Sequence, residues 1–239
     1  EDGYNIVIIG SPSHPEVCGI KGWAKDEKCV TIINSVEEAE KFSVNALLSK
    51  AKAEGYRLVY IITPHKLNNL NLFFDEKLLY SKTNINRYGI TCDEIESCKT
   101  ITADLYQLSI KSGEFSRYNI DPVFPTYLFE MLYKKWIENS INTDFATDVL
   151  VYRHNTKIVG LLTYKNKGCV SSIGIVAVDP LYQRLGIGSK LIQHYESLLS
   201  DNIVEMNVVT QGINLCARTF YEKNGYDIVS RKFVYHLWL

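Results

Sequence analysis

The stretch from Ile173 to Leu191 constrains this chain more than any other. An apolar run, Ile173-Gly-Ile-Val-Ala-Val178, stops at Asp179-Pro180, and a short loop then delivers Gln183-Arg184-Leu185-Gly186-Ile187-Gly188-Ser189. Beyond it, Ile187, Leu191, Tyr195 and Leu198 recur at helical spacing, so a buried strand feeds a helix over 186–199. The first N–H groups of a helix have no internal partner, and its dipole places partial positive charge there. Gly186 and Gly188 lack a Cβ, so an anion can come close to the backbone, with the Arg184 guanidinium helping. The arrangement suits a pyrophosphate. It is not the dinucleotide fingerprint, which needs a third glycine, nor the triphosphate loop, which needs Gly-Lys-Ser/Thr. A plain glycine-rich turn opening a helix is the alternative that the two glycines alone leave open.

A second segment follows the next strand, expected over 204–209. Asn214 can cap a helix over Leu215–Lys223, and Asn224-Gly225 can end it. Asn214 and Tyr221 are seven residues apart and share a helix face, with small Ala217 between them leaving room for a thin, extended ligand. A simple cap for Asn214 and a packed core tyrosine for Tyr221 are the structural alternatives.

Together these segments resemble the two coenzyme-binding motifs of the GNAT N-acetyltransferase superfamily. Gln183–Gly188 fits its Gln/Arg-x-x-Gly-x-Gly/Ala loop, and Asn214, Ala217 and Phe220-Tyr221-Glu222-Lys223-Asn224-Gly225-Tyr226 resemble its second motif. The resemblance covers about 102–239. It implies acetyl-CoA lying in a splay between the 170–178 and 204–209 strands. Its pantetheine arm would run along Val176, Ala177 and Val178, and its pyrophosphate would sit on Arg184, Leu185, Gly186, Ile187, Gly188 and Ser189, beside Gln183. Asn214 and Ala217 would line the rest of the coenzyme site, and Tyr221 would serve as proton donor or hydrogen-bond partner to the departing thiolate. Leu185 and Ser189 depart from the residues many members carry there, which bears on phosphate affinity. A narrower likeness lies upstream. Residues 111–125, followed by Leu132-Tyr133-Lys-Lys-Trp136, are similar to TDP-fucosamine acetyltransferases and related nucleotide-aminosugar N-acetyltransferases. That likeness implies a nucleotide-aminosugar acceptor, with Arg117 meeting an acceptor phosphate and Asp121 nearby. An Arg117–Asp121 pair bracing the loop is the alternative, and Glu114, Asp121 or a water chain are candidates for the base.

The expected fold is therefore α/β (an α+β mixed sheet): a GNAT domain over 101–239 preceded by a smaller α/β domain over 1–100 that contributes to the acceptor side. Strands are predicted over 4–9, 29–33, Leu58–Thr63 and 78–83, with a helix over 36–54 and a polar linker over 91–100. In the second half, strands are predicted over 102–109, 148–152, 157–164 and Val170–Val178. A helix over 124–140 turns Leu128, Leu132 and Trp136 to one face, and a strand pair over 226–237 closes the chain.

Lys+Arg 26 against Asp+Glu 27 gives a net charge of −1, so no overall basic field draws nucleic acid or an anionic membrane. The six cysteines form no Cys-x-x-Cys pair and no zinc spacing with histidine, which predicts no metal and reduced thiols. Cys169 and Cys216 lack a histidine partner in the sequence and read as structural, so transfer would be direct. No apolar run approaches the ~20 residues of a spanning helix, and no basic segment precedes the run at 6–9. A cytoplasmic protein is expected, with a homodimer as a candidate assembly. Two further readings stay open: transfer to another small amine or a peptide, and a non-catalytic acyl-CoA-binding module.

Overall fold

The computed structural model describes residues 5–9, 32–33, 49, 53, 58–63, 66, 73–88 and 92–239. Contacts divide the chain into two units, Glu1–Lys77 with Arg231–Leu239, and Leu78–Ser230.

In the first unit, β1 (Asn5–Ile9) lies antiparallel to β2 (Ile32–Ile33) and to β3 (Leu58–Thr63). The last strand, β10 (Asp227–Trp238), adds an antiparallel ladder to β3 from Phe233↔Thr63 to Trp238↔Leu58. It is one continuous strand, not the expected pair. Of the helix expected over 36–54, Ser49 and Ala53 are helical, and the remainder lies outside the described residues, as does most of the strand expected over 29–33.

The second unit is built on a mixed sheet in the order β4-β9-β8-β7-β6-β5. Its strands are β4 (Phe74–Lys82), β5 (Ile95–Ser97), β6 (Asp148–His154), β7 (Lys157–Lys167), β8 (Val170–Val178) and β9 (Glu205–Gln211). β5 to β8 form an antiparallel meander, and β9 joins β8 in parallel after a helical crossover. β6 and β7 turn at Asn155, whose φ of 55° suits the tight two-residue connection. β5 occupies the stretch expected as a linker: Ile95 is buried, and its ladder to β6 outweighs the polarity of Glu96 and Ser97, which face solvent.

The sheet has two apolar faces, and β8 switches between them at an irregularity in its pairing with β7 between Leu162 and Tyr164. Ile173 joins Leu150, Leu162, Leu191 and Tyr195 on one face, whereas Ile175 and Ala177 join Leu105, Ile137, Val149 and Leu161 on the other. The second face is covered by α1 (Ala103–Ser112) and α3 (Thr126–Asn142), with α2 (Arg117–Ile120) between them in sequence. The strand expected over 102–109 is thus a helix. Thr102 caps it, its Oγ1 accepting from Leu105 N at 3.3 Å, and Leu105, Leu108 and Ser109 fall at i, i+3 and i+4 on the buried side. On α3 the buried stripe is Phe129, Leu132, Tyr133, Ile137 and Ser140, with Leu128 and Trp136 only half-buried at its margin.

The first face is covered by α4 (Ile187–Ser197), which buries Ile187, Leu191, Ile192 and Tyr195. Leu198, expected on that inner face, is its C-cap and is exposed. α5 (Leu215–Lys223) contributes Tyr221 to the same core.

Candidate active site

The site begins where two strands part. β8 and β9 pair from Val170↔Glu205 to Ile173↔Val208 and no further, although β8 continues to Val178 and β9 to Gln211. The same level of β8 carries a register shift against β7 between Leu162 and Tyr164. Thr163 lies at this irregularity, its Oγ1 accepting from Ile175 N at 2.9 Å. A bulge of this kind bends a strand and increases its twist, turning the end of β8 away from its neighbour. The edge of β8 from Gly174 to Val178 therefore makes no ladder to β9.

Asp179 ends β8 and starts a 3₁₀ turn, Pro180–Tyr182, by accepting from Leu181 N at 2.9 Å. Lys157 Nζ holds the same carboxylate at 2.7 Å, which keeps it below the usual carboxylate range. Gln183 Nε2 then donates to Val178 O at 3.1 Å. Two residues in the left-handed region follow, Arg184 at φ 65° and Gly186 at φ 80°, and the chain enters α4. The first intrahelical bond at this end is Lys190 N to Gly186 O, so the N–H groups of Ile187, Gly188 and Ser189 have no acceptor within the helix. Gly188 is required for a packing reason: a Cβ there would stand 2.9 Å from Phe220 Cε2 and 3.2 Å from its Cζ. Overpacking of this kind costs ~1–3 kcal/mol. Gly188→Val is therefore expected to destabilise the second unit by about 1–3 kcal/mol, read by chemical denaturation, because Phe220 must shift to make room.

These segments enclose a cavity of about 480 Å³. Val176, Ala177 and Val178 of β8 line it, then Gln183, Arg184, Gly186, Ile187, Gly188 and Ser189 from the loop and first turn, then Asn214, Ala217 and Tyr221 from α5. Leu185 is exposed and does not line it. Asn214 both borders the cavity and caps α5, its Oδ1 accepting from Ala217 N at 3.0 Å. Tyr182, Cys216 and Phe220 complete this end, and Cys216 is exposed.

Tyr221 is buried, with its ring centroid 5.2 Å from Phe220, 5.7 Å from Tyr80 and 5.8 Å from Tyr226. Burial among these rings pushes the phenol well above its ordinary range, so it carries its proton at neutral pH.

The cavity is also lined by Lys111 and Ser112 at the end of α1, which covers the opposite face of the sheet, and by Glu114 and Phe115 of the turn that follows it. Lys111 Nζ and Glu114 Oε2 are 2.6 Å apart and both half-exposed. Gly113 fixes this turn against α3, since a Cβ there would stand 2.3 Å from the Tyr133 ring. Of these lining residues the sequence singles out only Glu114; Lys111, Ser112 and Phe115 carry no local signal of a role. Arg117 and Asp121 are buried at 5% and 2% exposure and are not among the lining residues. Arg117 Nη2 donates to the Tyr118 hydroxyl at 2.6 Å and its guanidinium lies 4.5 Å from that ring, whereas Asp121 Oδ1 accepts from Val123 N at 2.9 Å. Among the described residues no group of three or more His, Cys, Asp or Glu side chains is placed to hold a metal, and no helix is long and apolar enough to cross a membrane.

The family described as an acetyltransferase (GNAT) domain matches residues 115–236, just over half of the chain. The chain belongs to this GNAT acetyltransferase family. Residues 115–236 accordingly carry the GNAT fold. Residues 1–71 match a different family, described as LytB protein. A 4-hydroxy-3-methylbut-2-enyl diphosphate reductase from Caldanaerobacter subterraneus is 58% identical over 38 residues, covering 16% of this chain and 12% of the reductase. The spore coat polysaccharide biosynthesis protein SpsD of Bacillus subtilis is 25% identical over 146 residues, 57% of this chain and 47% of that protein. The chain thus spans under half the length of either relative. Among solved structures, a conserved protein of unknown function from Staphylococcus epidermidis superposes with a TM-score of 0.61 at 15% identity, covering 84% of this chain and 79% of its own. A GNAT-family protein from Novosphingobium aromaticivorans superposes with a TM-score of 0.51 at 10% identity, covering 75% and 73%. At these identities the likeness concerns the fold.

Proposed function

We propose that this GNAT domain moves an acetyl group from acetyl-CoA to the amine of a nucleotide-linked aminosugar. The observation that carries the reading is that one cavity joins the glycine-rich helix start to the turn at Lys111–Phe115 and passes Tyr221 on the way. The residues fit the coenzyme: N–H groups without helix acceptors at Ile187, Gly188 and Ser189 suit a pyrophosphate, and the bare edge of β8 at Val176–Val178 suits an amide-bearing arm. When bound, acetyl-CoA supplies the thioester whose carbonyl carbon receives the amine.

In that step the new N–C bond forms, the C–S bond breaks, and one proton leaves the nitrogen while another reaches the sulfur. A backbone N–H at the end of β8, near Val178, faces the developing oxyanion. The Tyr221 phenol holds a proton for the thiolate. Glu114, at the acceptor end, can take the proton lost by the amine, and Lys111 beside it can meet an anionic group of the acceptor. The likeness to SpsD, a polysaccharide biosynthesis protein, supports a sugar acceptor.

The test is release of free thiol from acetyl-CoA with TDP- and UDP-linked aminosugars beside free amines and short peptides. A nucleotide-linked aminosugar is expected to be acetylated with the highest kcat/KM. Preference for a free amine or peptide would replace the acceptor, and binding of coenzyme A without turnover of any amine would replace the enzyme reading with that of a binding module.

A further inference from the structure

A strand that precedes the matched GNAT region ends against Tyr221. Tyr80 of β4 is fully buried, and its ring packs 5.7 Å from that of Tyr221 at 43°. Its hydroxyl donates to Glu222 Oε1 at 3.0 Å, the neighbour of Tyr221 on α5. Arg218, one turn earlier on α5, faces the same hydroxyl and donates through Nη1 to Gly212 O at 3.1 Å, tying down the approach to the helix. The residues beside Tyr80 are anchored as well: Ser81 Oγ donates to Glu205 Oε1 of β9 at 2.7 Å, and Lys82 Nζ to Glu196 Oε1 of α4 at 2.6 Å. The other rings bordering the phenol, Phe220 and Tyr226, belong to α5 and to the turn that follows it. Tyr80 is the one supplied by a separate strand, so it can fix the phenol relative to the sheet that bears the cavity.

We infer that Tyr80 is a positioning residue for acyl transfer, holding the Tyr221 phenol in place by ring contact on one side and by its bond to Glu222 on the other. The inference rests on the reading of Tyr221 as the proton donor. A donor displaced by about 1 Å can lose ~10²-fold in rate, because proton transfer requires hydrogen-bond reach at the moment the C–S bond breaks.

The experiment compares kcat, KM for acetyl-CoA and melting temperature across Tyr80→Phe, Tyr80→Leu, Glu222→Ala, Tyr221→Phe and the pair Tyr80→Leu with Tyr221→Phe. Tyr80→Leu is expected to lower kcat about 10–100-fold with KM for acetyl-CoA within about twofold. Tyr80→Phe and Glu222→Ala, which keep the ring but lose the hydrogen bond, should each lower kcat about 2–5-fold. In the Tyr221→Phe background, Tyr80→Leu should lower kcat no further, because residues acting through one another are not additive. Independent, multiplying losses would overturn the inference, as would a full-rate Tyr80→Leu beside a slow Tyr221→Phe. A full-rate Tyr221→Phe would instead sink the proton-donor reading itself. Should Tyr80→Leu fail to fold, Tyr80→Phe, exposed Glu222→Ala and the pair of them decide alone: equal losses that the pair does not exceed support positioning, and unchanged kcat in both singles overturns it.

Discussion

Tyr221→Phe is expected to lower kcat by about 10²–10⁴ while the Kd for coenzyme A, measured by calorimetry, stays within about twofold. The substitution removes one oxygen from a buried side chain and leaves its contacts with Tyr80, Phe220 and Tyr226 in place, so neither the cavity's shape nor its coenzyme end should change. On the proposed reading, what disappears is the proton donor. Burial raises the phenol's affinity for its proton, so wild-type Tyr221 stays neutral through the physiological range and the alkaline limb of the kcat profile should not come from its ionisation. The linked effect on folding has the same direction. A phenol whose folded pKa lies above its unfolded value costs nothing below pH ~10, and its stabilising contribution is lost only as pH climbs from there through the folded value. Normal turnover by the Phe variant would move the donor elsewhere in the cavity.

Lys82→Met is expected to destabilise the second unit by about 3–5 kcal/mol, measured by chemical denaturation. Its partner Glu196 is 2% exposed on α4 and accepts both from Lys82 Nζ at 2.6 Å and from Asn86 N at 2.9 Å. Removing the ammonium leaves a carboxylate that has lost most of its hydration and its counter-charge, and one backbone N–H does not compensate for either. The companion variant, Lys82→Met with Glu196→Met, separates pair from charge. It should recover most of the loss, because a well-packed apolar pair often replaces a buried ion pair at no cost. A single-variant loss below about 1 kcal/mol would mean that water reaches Glu196.

What the sequence made legible was local. The bounds of β8 and α5 were readable because each carries its own punctuation: Asp179-Pro180 ends the strand, and Asn214 and Asn224-Gly225 bracket the helix. The same logic, missed at Thr102, explains the helix mistaken for a strand. Its β-branched start looked extended, but the Thr102 hydroxyl satisfies the N–H of Leu105 and the apolar spacing is that of a helix. The stripe expected on α3 holds at Leu132 and is one residue early at Leu128 and Trp136, where Phe129 and Ile137 take the buried positions, because only the packed face separates such neighbours. Nothing local marked Tyr80: the bond that joins it to Glu222 spans 142 positions. The part of the cavity lined by Lys111 and Phe115 was equally hidden, since they border it together with Ala177 only because the sheet carries α1 on that face.

The parting of β8 from β9 has a kinetic corollary. On the proposed reading, the bare amide edge and the glycine-rich turn recognise the carrier's arm and diphosphate, neither of which changes during the reaction. Interactions shared equally by starting material and spent carrier strengthen retention of both alike. Coenzyme A released by turnover should therefore compete directly with its acetylated form for the same cleft, and its departure becomes a natural brake on the catalytic cycle.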